Sequence, residues 1–168
     1  LSHIHTVSLH PEKSDCLLVT SSGFDCVFEF NYTTGLLNWE WFSWEHGLDL
    51  GHSKEGETVH ITRKEEIYKE YREKGEAVLF ISDPKVDHLP TAQRAAFINT
   101  AVYDGGDSFL ATLFHEGTVR SVNIENGKSE ILLAGMKSPH GAKRLKSEKI
   151  LSSNTGAGAV HYTYLRAH

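Results

Sequence analysis

Short stretches of alternating or purely apolar residues recur along the chain, each about as long as a β-strand. Residues His3–Leu9 alternate between apolar and polar, Leu17–Ser21 form a short apolar run, Cys26–Phe30 alternate again, and Leu36–Phe42 are rich in aromatic residues. Gly, Pro, Asn, Asp and Ser separate these runs, which is typical of strands joined by tight turns. The pattern therefore predicts four short antiparallel strands in this part of the chain.

The same order of strands and turns occurs a second time. The segment from residue 97 to 133 repeats the segment from 3 to 41, with two residues missing from the first turn, and Gly35 of the first copy matches Gly127 of the second. Repeats of roughly 40–50 residues with four strands each are typical of β-propeller blades. A β-sandwich also has many short strands, but it does not require the same strands and turns to recur, so the repeat favours a propeller.

We therefore expect an all-β chain that forms a β-propeller or partial propeller of three to four four-stranded blades in a single domain, 1–168. The units span about 3–44, 45–90, 97–135 and 139–168, and the last is incomplete. A propeller closes with about four to eight blades. We expect this chain to form a homo-oligomer or to be part of a longer or multi-chain propeller.

The second unit carries an insertion with helical signals. Thr62 and Glu65 have the spacing of a capping box, and Gly75 is a typical helix terminator. The pattern predicts one surface helix near 63–74, laid over one end of the blade.

The repeat also aligns polar residues at the start of each unit. His5, His46, Asn99 and His140 occupy equivalent positions, and the first strand of a blade lines the central channel. Imidazole suits Zn, Fe or Cu, so we predict that His5, His46 and His140 ligate a divalent metal. The same residues would also suit a metal-free site, in which His46 and His140 act as general acid or base and Asn99 binds the ligand.

Four further residues are ligand-binding candidates because they lie in predicted loops near the channel mouth: Asp49, His88, Arg94 and His115. The competing interpretation is that polar side chains on inner strands only hydrogen-bond channel water and neighbouring backbone. That interpretation is favoured for any single histidine. For the whole set, whose register comes from the repeat, we favour ligand or metal binding.

Composition excludes some classes of function and leaves others open. The net charge of −5 and the lack of a basic cluster argue against nucleic-acid binding, and no run reaches the ~20 apolar residues that span a membrane. No signal-peptide pattern is visible, and the compartment stays open. We expect Cys16 and Cys26 to be buried small hydrophobes, with a disulfide as the alternative. Trp39, Trp41 and Trp44 are expected to pack between blades.

Two motifs resemble known propeller families. The stretch Ser22–Phe30, followed by Thr34-Gly35 and Trp39–Trp41, resembles blades of bacterial pyrroloquinoline-quinone-type and arylsulfotransferase-like propellers. Pro139-His140-Gly141 is similar to the strand openings of NHL, paraoxonase and strictosidine-synthase-like propellers. The resemblance implies a ring of six or seven blades with ligands or metals on the axis. Those families bind calcium through Asn, Asp and Glu or use a catalytic His, and the richer set of histidines here favours Zn, Fe or Cu over Ca.

The function that we predict is binding of a small molecule or a metal at a His-rich channel mouth, as in a hydrolase or lyase that uses an axial His. The alternative is a non-catalytic protein-interaction or scaffold module. The sequence contains no metalloprotease, nucleophile-elbow or phosphate-loop motif, so it does not identify a substrate.

Overall fold

A computed structural model describes residues 3–52, 55–84, 86, 87, 89 and 95–164, with side chains as far as His161. Its strands form four sheets. The first blade contains β1 (Ile4–Leu9), β2 (Cys16–Ser21), β3 (Cys26–Asn31) and β4 (Leu36–Phe42). The second sheet contains β5 (Leu50–His52), β6 (Thr58–Thr62) and β7 (Val78–Phe80). The third blade contains β8 (Ile98–Tyr103), β9 (Ser108–Leu113), β10 (Thr118–Asn123) and β11 (Ser129–Leu133). The fourth blade contains β12 (Pro139–Arg144), β13 (Lys149–Asn154) and β14 (Ala159–Tyr164).

The predicted fold class is confirmed: the chain is mostly β, with blade-like sheets and one short helix. The first and third blades are four-stranded antiparallel meanders, with strand orders β1-β2-β3-β4 and β8-β9-β10-β11. Their outer turns repeat in detail. In the first blade, the side chain of Asn31 accepts a backbone hydrogen bond, and Gly35 has a φ of 76°. In the third blade, the side chain of Asn123 accepts the equivalent bond, and Gly127 has a φ of 69°. A positive φ at both positions explains the glycines.

The second unit differs from the predicted four-stranded blade. It has three strands, and β7 runs parallel to β6 because helix α1 (Glu65–Glu73) connects them. The second sheet also does not lie in space between the first and third blades, although it lies between them in sequence. The first and third blades pack directly against each other through β1 and β8, while Ile61 and Ile81 of the second unit cover the opposite face of the first blade. Two blades that are adjacent in space are thus separated in sequence by the segment that forms the second sheet, which we call the excursion.

Helix α1 ends as predicted but begins differently. Its first residue follows Lys64, which is extended, and no side chain caps it. Thr62 instead accepts a hydrogen bond from the backbone of Lys64 at 3.1 Å, so the predicted capping box does not form. The C-terminus is a Schellman motif, in which Gly75 has a φ of 74° and Glu76 N–H donates to the carbonyl of Tyr71 at 2.9 Å.

Apolar residues from adjacent sheets fill the spaces between blades. Leu18 and Val27 of the first blade pack with Ile98 and Phe109 of the third. On the other side of the third blade, Leu110 and Val119 pack with residues of the fourth blade. Two threonines cross the same boundaries: Thr6 Oγ1 accepts from Ala101 N at 3.2 Å, and Thr100 Oγ1 accepts from Gly141 N at 3.1 Å. Repeated threonines therefore fix the spacing of the inner strands.

Asp25 holds both ends of the excursion. Its backbone is left-handed, with a φ of 53°, and its side chain is fully buried. The carboxylate accepts from Ala96 N at 2.9 Å and Ile98 N at 3.0 Å, and the carbonyl accepts from Ser43 N at 3.1 Å. Burial raises the pKa of Asp25, and the backbone donors oppose that shift. The segment that leaves the first blade and the segment that enters the third blade are therefore both hydrogen-bonded to this one residue.

The prediction for cysteine is confirmed, and the prediction for tryptophan is confirmed for Trp39 and Trp41. Cys16 and Cys26 are buried and free, and burial raises the pKa of both thiols. Trp39 and Trp41 pack across the boundary onto Phe109, with ring centroids 5.5 and 5.7 Å away. Trp44 packs instead on the face covered by the second sheet.

Candidate functional site at the hub mouth

Each inner strand of the three packed blades begins with the same backbone device. A residue with a left-handed backbone precedes the strand: His3, Phe97 and Ser138 have φ values of 52°, 50° and 54°. The register then shifts after Ile4 in β1 and after Ile98 in β8, which makes a β-bulge at the next residue. Because a bulge re-aims side chains at the end of a strand, this device sets the direction of the residues at the mouth.

Three of the predicted histidines meet there. The rings form a connected set that we call the hub cluster: His5, Phe97, Phe114, His115 and His140. Phe97 lies 5.6 Å from His5 and 5.2 Å from His115 between ring centroids, with the His115 ring nearly parallel to it. Phe114 lies 5.6 Å from His115 and 5.5 Å from His140. The strand starts that carry His5 and His140, and the turn after β9 that carries Phe114 and His115, therefore bring three imidazoles around two phenyl rings.

A cavity of about 690 Å³ opens beside the hub cluster. Phe114 and His115 line it, together with three charged or titratable residues that sequence reasoning did not select: His52, Glu116 and Lys137. Lys137 directly precedes left-handed Ser138, but Ala96 has the equivalent place before Phe97, so the repeat held no signal for a charged residue there. His52 comes from β5 of the second sheet, and no pattern in the sequence placed that strand near the mouth.

Asn99 lies at the predicted strand start, but its side chain is hydrogen-bonded within the protein. Its side chain is buried and donates to the carbonyl of Pro139 at 2.8 Å, while its oxygen accepts from Thr100 Oγ1 at 3.2 Å. Both ends of the amide are therefore engaged within the protein. Asn99 ties β8 to the start of β12, and it supports the hub cluster rather than facing the cavity.

The predicted equivalence of His46 with His5, Asn99 and His140 is wrong in the structure. His46 follows a short 3-10 turn, Ser43–Glu45, and precedes β5 by several residues. Its ring stacks on Trp41 at 5.5 Å and lies over Gly127, where an added Cβ would come within 2.3 Å of His46 Cε1. Burial lowers the pKa of His46, and the charge of Glu45 opposes that shift. The residue belongs to the outer edge between the first and third blades because the second unit is not a ring blade.

The remaining candidates are divided between the second sheet and undescribed positions. Asp49 Oδ2 lies 3.2 Å from His60 Nδ1, and His60 Nε2 lies 3.0 Å from Glu76 Oε2. The His60 ring also stacks on Tyr71 of α1, with centroids 3.8 Å apart. Asp49 thus helps to fasten the helix to its sheet. His88 and Arg94 fall outside the described residues.

Two further observations concern metal ligands and membrane-spanning helices. Among the described residues, no group of three or more His, Cys, Asp or Glu side chains is arranged to hold a metal ion. The divalent metal therefore stays a prediction without geometric support. In the same part of the chain, no helix has the length and apolar character needed to cross a membrane.

Comparison with known proteins supports the fold and goes no further. The structure is similar to that of a streptogramin B lyase, with a TM-score of 0.50 and 7% sequence identity over 99% of this chain. The aligned region spans 42% of the lyase chain. No protein-family model matches the sequence, and no curated protein matches it. The class that the fold defines is a β-propeller, of which this chain provides a part.

Proposed function

We propose that the chain binds a small organic ligand at the hub mouth. One observation carries the proposal: three separate segments bring His5, His115 and His140 to the same two phenylalanine rings beside a cavity. The left-handed residue before β1 and before β12 positions His5 and His140, and the turn after β9 brings His115 to them. Backbone strain that recurs at a cluster of polar residues is typical of a functional site.

The side chains around the cavity favour an aromatic carboxylate or a related carbonyl compound. Phenyl and imidazole rings offer faces for stacking, and Lys137 offers a cation within the same cavity. Imidazole can move a proton near neutral pH. His115 or His140 would therefore serve as general acid or base in a hydrolase or lyase reaction. The similarity to a streptogramin B lyase is consistent with this class, although the likeness at 7% identity concerns the fold.

We also propose that further blades complete the ring, either from a second copy or from a longer protein. The chain spans 42% of the similar propeller chain. Ile4, Val7 and Leu9 are exposed along β1, which has the third blade on one side only. The same open edge is what favours the second candidate function, a protein-interaction module. We also propose, from the resemblance of its motifs, that the chain is related to the NHL, paraoxonase or arylsulfotransferase-like propellers.

Histidine-detected NMR with benzoate as the probe tests ligand binding. We expect benzoate to shift the imidazole resonances of His115 and His140. The Lys137→Ala variant should weaken binding about tenfold, because it removes the cation. Lys128→Ala, which changes an exposed lysine just before β11, is the matched control and should bind like the wild type. Shifts spread equally over all histidines, or no shift in a folded protein, would overturn the proposal.

Metal analysis of the same material separates the metal hypothesis from the metal-free site. Stoichiometric Zn, Fe or Cu that is lost in His140→Ala would support the metal and assign His140 to it. A metal-free protein that still binds benzoate would support imidazole chemistry alone.

A further inference from the structure

A second cavity lies on the face of the first blade that does not contact the third blade. It has a volume of about 320 Å³. Three cross-strand pairs of β3 and β4 line it: Cys26 with Phe42, Phe28 with Glu40, and Phe30 with Leu37. Phe24 and Pro84 close its ends. We call this cavity the phenylalanine groove.

Packing between blades does not require an apolar side chain at two positions of the phenylalanine groove, Phe28 and Leu37. In the third blade, the residues at the positions of Phe28 and Leu37 are Arg120 and Ser129. Arg120 donates to Ser129 Oγ at 3.0 Å and forms an ion pair with Glu116. That face of the third blade packs against the first blade and still accepts a polar network at these positions. At the positions of Phe28 and Leu37, therefore, packing between blades does not demand an apolar side chain.

Glu40 gives the groove its electrostatic character. It is half-buried on the outer strand and is the charged residue among the described residues that line the groove. Within the described part of the chain, no hydrogen bond or ion pair engages its carboxylate. A carboxylate beside aromatic side chains in a partly desolvated groove favours a cation, because water screens the attraction less there than at an open surface. Phenyl faces also attract cations directly.

We propose that the phenylalanine groove binds a small hydrophobic amine, with its aryl or alkyl part against Phe28 and Phe30 and its ammonium group at Glu40. This site is separate from the hub mouth and needs no residue of the hub cluster. A groove of about 320 Å³ has room for one bicyclic aryl group with a short amine arm. Apolar pockets with one placed charge are the usual form of small-molecule sites.

The test uses 1-naphthylmethylamine as the probe and 1-naphthylacetate as its oppositely charged counterpart, with naphthyl fluorescence as the signal. The wild type should prefer the amine by about tenfold or more, since the ammonium meets Glu40 and the carboxylate is repelled by it. Glu40→Gln should remove most of that preference. Leu37→Ser, which introduces the residue of the third blade, should weaken binding of the amine by about fivefold or more.

The matched control is Ile131→Ser, which changes a similarly exposed apolar residue on the outer strand of the third blade. It should bind the amine like the wild type. Equal affinity for the two probes, or no binding by a folded wild type, would overturn the proposal. Self-association that Leu37→Ser abolishes would also overturn it and would make the groove a contact between copies. His115 resonances should stay unshifted by the amine, so failure here is distinguishable from failure at the hub mouth.

Discussion

The first and third blades have the same four strands and the same turns, but their inner strands have opposite environments. In β1, Ile4, Val7 and Leu9 are 42%, 56% and 66% exposed. In β8, Ile98 and Ala101 are fully buried, because β8 lies between β1 and β12. Both strands have similar alternation in sequence. The burial of an inner strand therefore depends on how many blades surround it.

The two blades also differ in how the turn before their third strand is held in place. Asp25 and Gly117 occupy equivalent places before β3 and β10, and both have a positive φ, 53° and 71°. Asp25 uses its carboxylate to hold the start of the third blade. Gly117 has no side chain, and the backbone of Met136 occupies the space instead. A long connection needs a side chain as an anchor, whereas a short connection packs backbone against backbone.

The largest effect is expected for Asp25→Ala. The change leaves two buried N–H donors without their acceptor and puts a non-glycine residue without a polar side chain at a positive φ. It should lower the free energy of unfolding by about 3–5 kcal/mol, measured by urea denaturation. Asp25→Asn retains one acceptor oxygen and tolerates the backbone better, so it should cost about 1–2 kcal/mol. Equal costs for the two variants would show that the carboxylate does not act as the anchor.

The equivalent change in the third blade is Gly117→Ala. An added Cβ would lie 2.2 Å from the carbonyl oxygen of Met136, which is backbone and cannot rotate away. We expect a loss of about 2–4 kcal/mol from this contact and the positive φ together. Gly105→Ala is the matched control because Gly105 has a φ of 83° and nothing within 4 Å. It should cost only about 1 kcal/mol, and a similar cost for both variants would refute the close approach of Met136.

The smallest effect concerns Glu29, which occupies the position of Ser121 in the third blade. Glu29 is buried and accepts from Asn38 and from Tyr103 Oη, both at 2.7 Å. Burial raises its pKa, but these hydrogen bonds and the charge of Lys13 outweigh burial, and the net pKa of Glu29 is lowered. Tyr103→Phe should therefore cost about 1–3 kcal/mol at pH 7.

That cost should depend on pH in a defined direction. A carboxyl group with a lowered pKa stabilises the fold above its unfolded value of about 4.3, and the contribution is lost as the pH falls through the lowered value. The difference between wild type and Tyr103→Phe should therefore shrink below about pH 4. Tyr32→Phe removes an exposed hydrogen bond to the carbonyl of Ser14, and its effect should not change with pH. A constant difference for Tyr103→Phe would contradict the role of Glu29.

The sequence predicted the blades well because their signals are local and repeated. Alternation, the turn of Asn31 with Gly35, and the match to Gly127 are visible without any tertiary contact. The hub cluster was predicted in part, since the repeat placed His5 and His140 at equivalent strand starts. His46 was misplaced because the position of the second sheet depends on the apolar contacts of Ile61 and Ile81 with the first blade. Such long-range contacts leave no periodic pattern.

The anchoring of Ser43 and Ala96 on Asp25 has a consequence for how this part of the chain can change. Because the departing end of the excursion bonds to the carbonyl of Asp25 and the returning end to its carboxylate, the two ends stay together whatever lies between them. The entropy of closing such a loop grows only slowly with its length. Insertions or replacements within the excursion should therefore be tolerated by the neighbouring blades, as long as apolar residues in the places of Ile61 and Ile81 still pack on the first blade. The excursion is therefore a suitable site for inserting a foreign segment without displacing the first and third blades.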